Sequence, residues 1–502
     1  MAKNSLGSER QLPEAWVWTA IGKVTQPVEK VEPGENPDAR FTYLDISSID
    51  NRFHRIAEPK TYYGAEAPSR ARQLVQANDV LFSTVRTYLQ NIALVPDAYN
   101  GQIASTGFAV LRGESGVLPK YLFYYTLTDE CLSDLGKLQR GTSYPAVRDG
   151  DVRAQPIPLA PLPEQRRIVA EIETQFTRLD AGVAALERAQ ANLKRYRAAV
   201  LKAACEGRLV PTEAALARAE GRAYEPADQL LARILAERRA RWEAENPGKK
   251  YMEPAPPDTE GLPEMPEGWV RASLPQLGEL NRGKSQHRPR NDERLFGGPY
   301  PFIQTGEVRQ AEGIITTYSQ TYSESGLAQS RLWPKGTLCI TIAANIAETA
   351  ILGFEGCFPD SVVGFISADG VDVRFVEYFV RTAKEELERY APATAQKNIN
   401  LQTLRGVAVP LPPFREQHRI VAEVERRLSV VAALEREVEA ALARAARLRQ
   451  SILKRAFEGR LVPQDPNDEP AAALLARIRV ERARQERKGD GWKQPKQMEL
   501  FK

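Results

Sequence analysis

One stretch of this chain occurs twice at nearly constant separation, and a repeat of that kind limits the fold more than any other feature. PLAPLPEQRRIVAEIE, from Pro158 to Glu173, returns as PLPPFREQHRIVAEVE from Pro410 to Glu425, an offset of 410 − 158 = 252. EGRLVP at Glu206 returns at Glu458, again 252 residues on, and PEAWV at Pro13 returns as PEGWV at Pro266, 253 residues on. Between Ile157 and Glu171, 10 of 15 positions are identical to their partners. A shorter echo follows in each half, EPADQLLARILAER from Glu225 and EPAAALLARIRVER from Glu469. The chain is therefore one unit written twice.

Each half divides in the same way: a globular segment (14–158, 267–410), a proline-rich hinge, a long helical segment (164–205, 416–457) and a short charged helix (225–245, 469–488). The expected domain boundaries are 1–160, 161–210, 211–265, 266–412, 413–462 and 463–502. The stretch Asn246–Gly268, rich in Pro, Gly and charge, reads as the linker between halves. In the long segments apolar residues recur at 3–4 spacing without interior proline. They are Ile168, Ile172, Leu179, Val183, Leu186, Leu193 and Val200 in the first, with Gln175 and Gln190 in register. In the second they are Ile420, Val424, Leu428, Val431, Leu434, Val438, Leu442, Ala445, Leu448 and Ile452. Held over about six heptads, such a stripe is a coiled-coil seam. Forty-two residues in a helix make a rod of roughly 60 Å, and a rod that long needs a partner of its own length. The other copy is the obvious one, in an antiparallel pair that would put the heads at opposite ends.

The globular segments share pattern more than identity. DVLFSTVRTYLQNIALV (Asp79–Val95) lies against GTLCITIAANIAETAIL (Gly336–Leu352), each a β-rich run, a polar turn and a second β-rich run. YLFYYTLTDECL and FVEYFVRTAKEEL near the ends are both helix-like. The fold class expected is α+β: two α/β heads separated by an antiparallel two-helix coiled coil, with an internal pseudo-two-fold repeat.

Bulk charge decides little here, because 69 Lys+Arg against 65 Asp+Glu leave only +4. Cys131, Cys205, Cys339 and Cys357 form no CxxC pair, which argues against a disulfide scaffold and fits a reducing cytosol. His54, His287 and His418 are scattered, which disfavours a zinc site. No apolar run approaches the ~18 residues of a membrane span, and MAKNSLGSER lacks a signal-peptide apolar region. The expectation is a cytoplasmic protein without a membrane partner.

The sharpest candidate for chemistry is GELNRGKS (Gly278–Ser285), which matches the phosphate-cradling pattern G-x-x-x-x-G-K-S. A working loop of that kind follows a buried strand and opens a helix. Here Pro275 precedes it and Pro289 follows, so a basic, flexible loop is the better reading. Pro37-Asp38 with Glu58-Pro59-Lys60 resembles a metal-dependent nuclease core, but Pro59 removes a ladder donor where Glu and Lys should share a buried strand. With no nucleophile elbow, dinucleotide fingerprint or amino-methyltransferase tetrapeptide, the chain reads as non-catalytic, with no cofactor of its own.

What remains is recognition surface. The turn from Ser83 carries Thr84, Arg86, Thr87, Tyr88, Gln90 and Asn91; Arg suits bidentate contact with guanine, and Asn or Gln with adenine. Thr142, Ser143 and Tyr144 stand before the first hinge, and Gln396, Lys397 and Asn398 are in register with them before the second. The counterpart turn in the second half holds Thr341, Asn345 and Glu348, with Gln304 upstream. Arg282, Lys284, Gln286, Arg288 and Arg290 form a basic cluster suited to phosphates.

The order of head, PLPPxxEQxxIV hinge, long helix and EGRLVP, repeated once, resembles the specificity (S) subunit of type I restriction–modification enzymes, HsdS-like proteins, over nearly the whole chain. That resemblance implies two target-recognition domains, each reading one half of a split target on double-stranded DNA, with the paired helices setting the gap. It implies as partners two methyltransferase (M) subunits carrying S-adenosylmethionine, and restriction (R) motor-nuclease subunits that use ATP and magnesium. The charged helices, Leu230–Trp242 and Leu474–Arg487, are candidates for docking those partners. A coiled-coil scaffold with protein-binding heads is the alternative. A nucleotide hydrolase is a third reading, which requires Lys284→Ala to abolish nucleotide binding.

Overall fold

The computed structural model describes residues 11–287, 289, 291–311, 313–343, 346–384 and 399–490. The chain divides into two compact units. One gathers the residues up to Leu186 and those from Glu439 onward; the other runs Glu187–Val438. Each of the two long helices, Leu162–Cys205 and Phe414–Phe457, supplies one half to each unit.

In the first unit a strand Val17–Ala20 pairs antiparallel with Pro156–Leu159. The proline-rich hinge is thus ordered as a two-stranded ribbon, which tolerates prolines because one edge of each strand needs no donors. Above it lies an antiparallel sheet in the order Thr25–Gln26, Phe108–Gly113, Val80–Ser83, Ile92–Leu94. A second sheet runs Lys60–Tyr63, Arg40–Leu44, Ile103–Ser105, Ala71–Leu74. Helices Pro119–Thr126 and Asp129–Gly136 complete the head. Its core takes in Ile168, Ile172 and Phe176 from the start of the first long helix, and Ile452, Leu453 and Phe457 from the end of the second. Start packs beside end, so the helices are antiparallel here. Asp180 and Arg449 pair across them, and the Arg449 guanidinium covers the Phe176 ring at 4.3 Å.

The second unit repeats the plan with its own head. Val270–Ser273 pairs antiparallel with Ala408–Leu411. A five-stranded sheet runs Gly278–Arg282, Val362–Ser367, Leu338–Thr341, Thr349–Leu352, Ile314–Ile315, beside a ribbon of Phe296–Phe302 and Gln320–Tyr322. Val200, Leu201 and Ala204 pack with Ile420, Val421 and Val424, again end beside start, and Arg197 reaches Glu435 at 2.7 Å. Both heads are α+β, as the paired β-rich runs and terminal helix patterns predict.

The repeated words of the sequence make the same bonds in each unit. Trp16 Nε1 donates to Glu164 at 2.9 Å, and Trp269 Nε1 donates to Glu416 at 3.0 Å. The second carboxylate oxygen accepts from Gln464 Nε2 (2.6 Å) in one unit and from the Glu213 amide (2.7 Å) in the other. Gln165 accepts the Leu118 amide and donates to the Ala160 carbonyl; Gln417 accepts the Asp372 amide and donates to the Pro412 carbonyl. All four side chains are buried, and burial pushes both Glu carboxyls above their usual range against the pull of their donors. EGRLVP ends each long helix: Gly207 (φ +68°) and Gly459 (φ +70°) take the left-handed conformation, and the Arg208 and Arg460 amides return to the Ala203 and Arg455 carbonyls. A side chain at either glycine would strike Pro266 or Pro13, the start of the PEGWV and PEAWV copies.

Four expectations need correction. Leu434 and Leu448 are not seam residues; they are 48% and 51% exposed. The seam runs through Glu435 and Arg449 instead, because a polar bridge to the neighbouring helix is met at those positions. The charged helices are not wholly surface: Ala227, Leu230 and Ile234 of Ala227–Glu245 are buried in the second head's core, and Ala471, Leu474, Leu475 and Ile478 of Ala471–Asp490 in the first's. A short helix, Glu213–Glu220, stands in the first half only among the described residues. And Gly278–Arg282 is a strand, not a loop.

Glu164→Gln and Glu416→Gln each convert one of two acceptor oxygens into a donor facing a donor. Each variant is expected to lose about 1–3 kcal/mol of stability. In thermal melts that is a Tm lower by about 2–4 °C for each kcal/mol in units of this size.

Candidate nucleic-acid interface

The turn that follows strand Val80–Ser83 is built around two residues in the left-handed region, Arg86 (φ +49°) and Gln90 (φ +53°), flanking a 3₁₀ turn Thr87–Leu89. Non-glycine residues adopt this conformation only where their surroundings enforce it. Here the Arg86 amide donates to the Pro145 carbonyl at 2.7 Å, and Val85 bridges Ala146. The guanidinium donates to the Ser143 carbonyl at 3.0 Å and lies over the Tyr144 ring at 4.5 Å. The two recognition loops read from the first half therefore form a single surface. Tyr88 (60% exposed) and Tyr144 (69%) project from it, and Thr142 and Ser143 are exposed beside them.

Three residues proposed for contact have other duties. Thr84 is buried and donates to the Gly107 carbonyl; Thr87 is buried and accepts from Gln139; Asn91 is buried. The Thr84 and Thr87 side chains brace the turn from within. Gln90 is half-buried.

A hairpin of Ile49–Asp50 and Arg55–Ile56 was not anticipated. Its tip is held by the Asp50 carboxylate, which accepts the Arg52 and Phe53 amides at 3.1 and 3.3 Å. Asn51 Nδ2 donates to the Leu89 carbonyl at 2.9 Å, fastening the tip to the Arg86 turn. Phe53 is 58% exposed, with the Arg52 and Arg55 guanidinium groups 5.1 and 5.0 Å from its ring centre. Exposed aromatics interleaved with arginine on one surface suit stacking on bases together with phosphate contact. The string Arg52-Phe53-His54-Arg55 after Asp50-Asn51 is the signal by which the hairpin could have been found.

In the second head, both glycines of GELNRGKS serve packing. A Cβ at Gly278 would meet the Ile366 carbonyl at 2.2 Å, and one at Gly283 the Phe358 and Pro359 carbonyls at 2.4 Å. Strand rather than loop-to-helix geometry removes the phosphate-loop reading. Asp38, Glu58 and Lys60 are exposed, so they form no buried nuclease strand. Arg282 donates to the Asp360 carbonyl at 2.9 Å; Lys284 is exposed; the Gln286 amide is held by Gln329 at 2.6 Å. Arg288, Arg290, Asn345, Gln396, Lys397 and Asn398 lie outside the described residues. Gln304 is exposed and donates to Gln320 at 2.8 Å, at the rim of a cavity of about 670 Å³ floored by Phe302 and Tyr322. Thr341 is buried and its hydroxyl accepts the Glu348 amide, while Glu348 pairs with Lys384 at 2.7 Å. No helix among the described residues is long and apolar enough to cross a membrane.

The family model for the type I restriction modification DNA specificity domain matches residues 36–189 and 266–443. The chain is 26% identical over 378 residues to the type I restriction enzyme EcoDI specificity subunit of Escherichia coli, covering 73% of this chain and 78% of that one. It is 25% identical over 391 residues to the EcoKI specificity subunit of Escherichia coli (strain K12), covering 74% of each. Among solved structures, a chain from a study of complex assembly and conformational transition of the type I R-M system superposes with a TM-score of 0.70 at 30% identity, over 90% of this chain and all of that one. The HsdS subunit from Thermoanaerobacter tengcongensis gives 0.54 at 29% identity, over 90% and 99%.

Arg86→Ala removes the stack on Tyr144 and the bond to Ser143. Losing about 1–2 kcal/mol there should raise the open population of the 140–146 segment by about 5–30-fold. Limited trypsin digestion should cut faster after Arg140 by that order, with the global Tm nearly unchanged.

Proposed function

The chain belongs to the type I restriction–modification DNA specificity family, a family whose role is DNA recognition, and from that premise we propose how its parts divide the work. Each head reads one half of a bipartite target on double-stranded DNA, and the paired long helices set the spacer. The observation that carries this reading is the duplicated clamp. The same Trp–Glu and Gln bonds fasten two heads to the same antiparallel helices, while the surfaces the heads present differ. A frame kept constant under divergent surfaces is what two independent half-sites at fixed separation require.

In the first head, exposed Tyr88, Thr142, Ser143 and Tyr144, with the half-buried Arg86 and Gln90, supply groove and backbone contacts. In the second, Arg282, Lys284, Gln286 and Gln304 do so, together with Arg288, Arg290, Asn345, Gln396, Lys397 and Asn398. Arginine and glutamine side chains offer the bidentate donors that distinguish base pairs in the major groove. Lysine and further arginines neutralise phosphate. The interleaving of arginine with exposed aromatic rings favours nucleic acid over a protein ligand.

The chain itself performs no chemistry in this reading. Two methyltransferase subunits, which carry S-adenosylmethionine, dock on the repeated frame, and the motor-nuclease subunits bring ATP and magnesium. Internal repetition offers two equivalent docking faces to two copies of one partner. Candidate contacts are the exposed Val430, Leu434 and Leu448 on the second long helix, and the exposed charged residues of Ala227–Glu245 and of 471–484.

Methylation mapping of the host genome with and without this gene tests the reading. One asymmetric, interrupted motif should disappear with the gene. Exchanging residues 14–158 should alter one half of that motif only; a change in both halves contradicts the division of labour. Deleting one heptad from one long helix should mispair the seam, so that target binding weakens without a change in the bases read.

A further inference from the structure

Phe53 is a large apolar side chain held in water. Leaving a phenylalanine exposed forgoes about 1.5–3 kcal/mol of burial, while the core contacts of its hairpin come from Ile49 and Ile56, behind the tip. Yet the tip is tightly specified. Asp50 accepts two successive amides from it, His54 sits in the left-handed region (φ +50°), and Asn51 lashes it to the Leu89 carbonyl. The His54 ring turns inward, packing edge-on to Phe123 at 6.4 Å, and burial lowers its pKa, so the imidazole is a neutral anchor rather than a phosphate contact. This arrangement presents one ring outward with the Arg52 and Arg55 guanidinium groups over it, and the Asn51 bond to Leu89 ties the tip to the turn that carries Arg86 and Tyr88.

We propose that Phe53 is a wedge that enters the base stack at or beside the half-site of the first head, with Arg52 and Arg55 on the flanking phosphates. This rests on the DNA-reading function proposed above. A phenyl ring has no donor or acceptor with which to read a base edge; it can stack on a base face or touch a thymine methyl. Its position at the apex of a pre-shaped hairpin, with two guanidinium groups beside it and that of Arg55 held by Asp50 at 3.6 Å, fits insertion between adjacent pairs better than flat contact with a groove wall. Partial unstacking kinks the duplex and lowers the cost of later base extrusion, which a base-modifying enzyme must meet.

The test uses the full assembly of this chain with its methyltransferase subunits, without S-adenosylmethionine, on duplexes carrying 2-aminopurine at successive positions across the half-site. Wild-type protein should raise the fluorescence at one step. Phe53→Ala should abolish that rise and weaken target binding by about tenfold to a hundredfold, the range for losing one base–aromatic stack. Phe53→Trp should restore both. Arg52→Ala should weaken binding, flatten its salt dependence and keep the fluorescence change. Wild-type affinity and fluorescence in Phe53→Ala would overturn the wedge while leaving the DNA-reading function intact. Weaker binding with no fluorescence change at any step, confined to sites with a thymine, would replace the wedge by a methyl contact and likewise overturn it. Failure of the wild-type assembly to prefer its target over random duplex would remove the underlying function, and the wedge with it.

Discussion

Two buried carboxylates, Glu164 and Glu416, hold this protein to its plan. A carboxylate without water is costly unless its lone pairs are met. Each meets an indole N–H from the residue just before the strand that opens its head, and a second donor from the segment beyond a long helix. The neighbouring Gln165 and Gln417 close the remaining gap, each taking an amide from the loop before a head helix and giving its own N–H groups to carbonyls. Entry strand, hinge, head and helix thus meet at one point in each unit. The bonds are geometrically demanding, which is why the EQxxIV word is spelled twice while the heads around it drift.

The charged helices extend the same logic. Arg477 pairs with Glu469 as Arg233 pairs with Glu225, and Arg482 donates to the Gly22 and Thr25 carbonyls as Arg238 donates to those of Pro275 and Gly278. The helix following the second long helix covers the first head, and the helix following the first covers the second. Each compact unit is assembled from both halves of the sequence.

Against this constant frame the heads are free to differ. The first carries turns with left-handed residues pinned by arginine–tyrosine stacking; the second surrounds a polar-rimmed cavity over stacked Phe302 and Tyr322. Loops that carry no share of the clamp can change without cost to it.

The sequence by itself determined the repeat, the helical rods with their antiparallel complement, the strand–turn–strand pattern of the heads and the family. These rest on local signals: periodicity, proline placement and identity at a fixed offset. Only the tertiary structure decided which residues of those patterns do what. Leu434 and Leu448 satisfy the spacing of a seam, yet Glu435 and Arg449 occupy it, because salt bridges across the helices are long-range events that spacing does not record. Thr84, Thr87 and Asn91 look like readers and are buried, and Gly278 and Gly283 look like a phosphate loop and are spacers against neighbouring carbonyls. Phe53 reads as an ordinary apolar residue until its hairpin forms. Exposure is a property of the folded surface, and a short polar segment does not say which of its side chains the rest of the chain will cover.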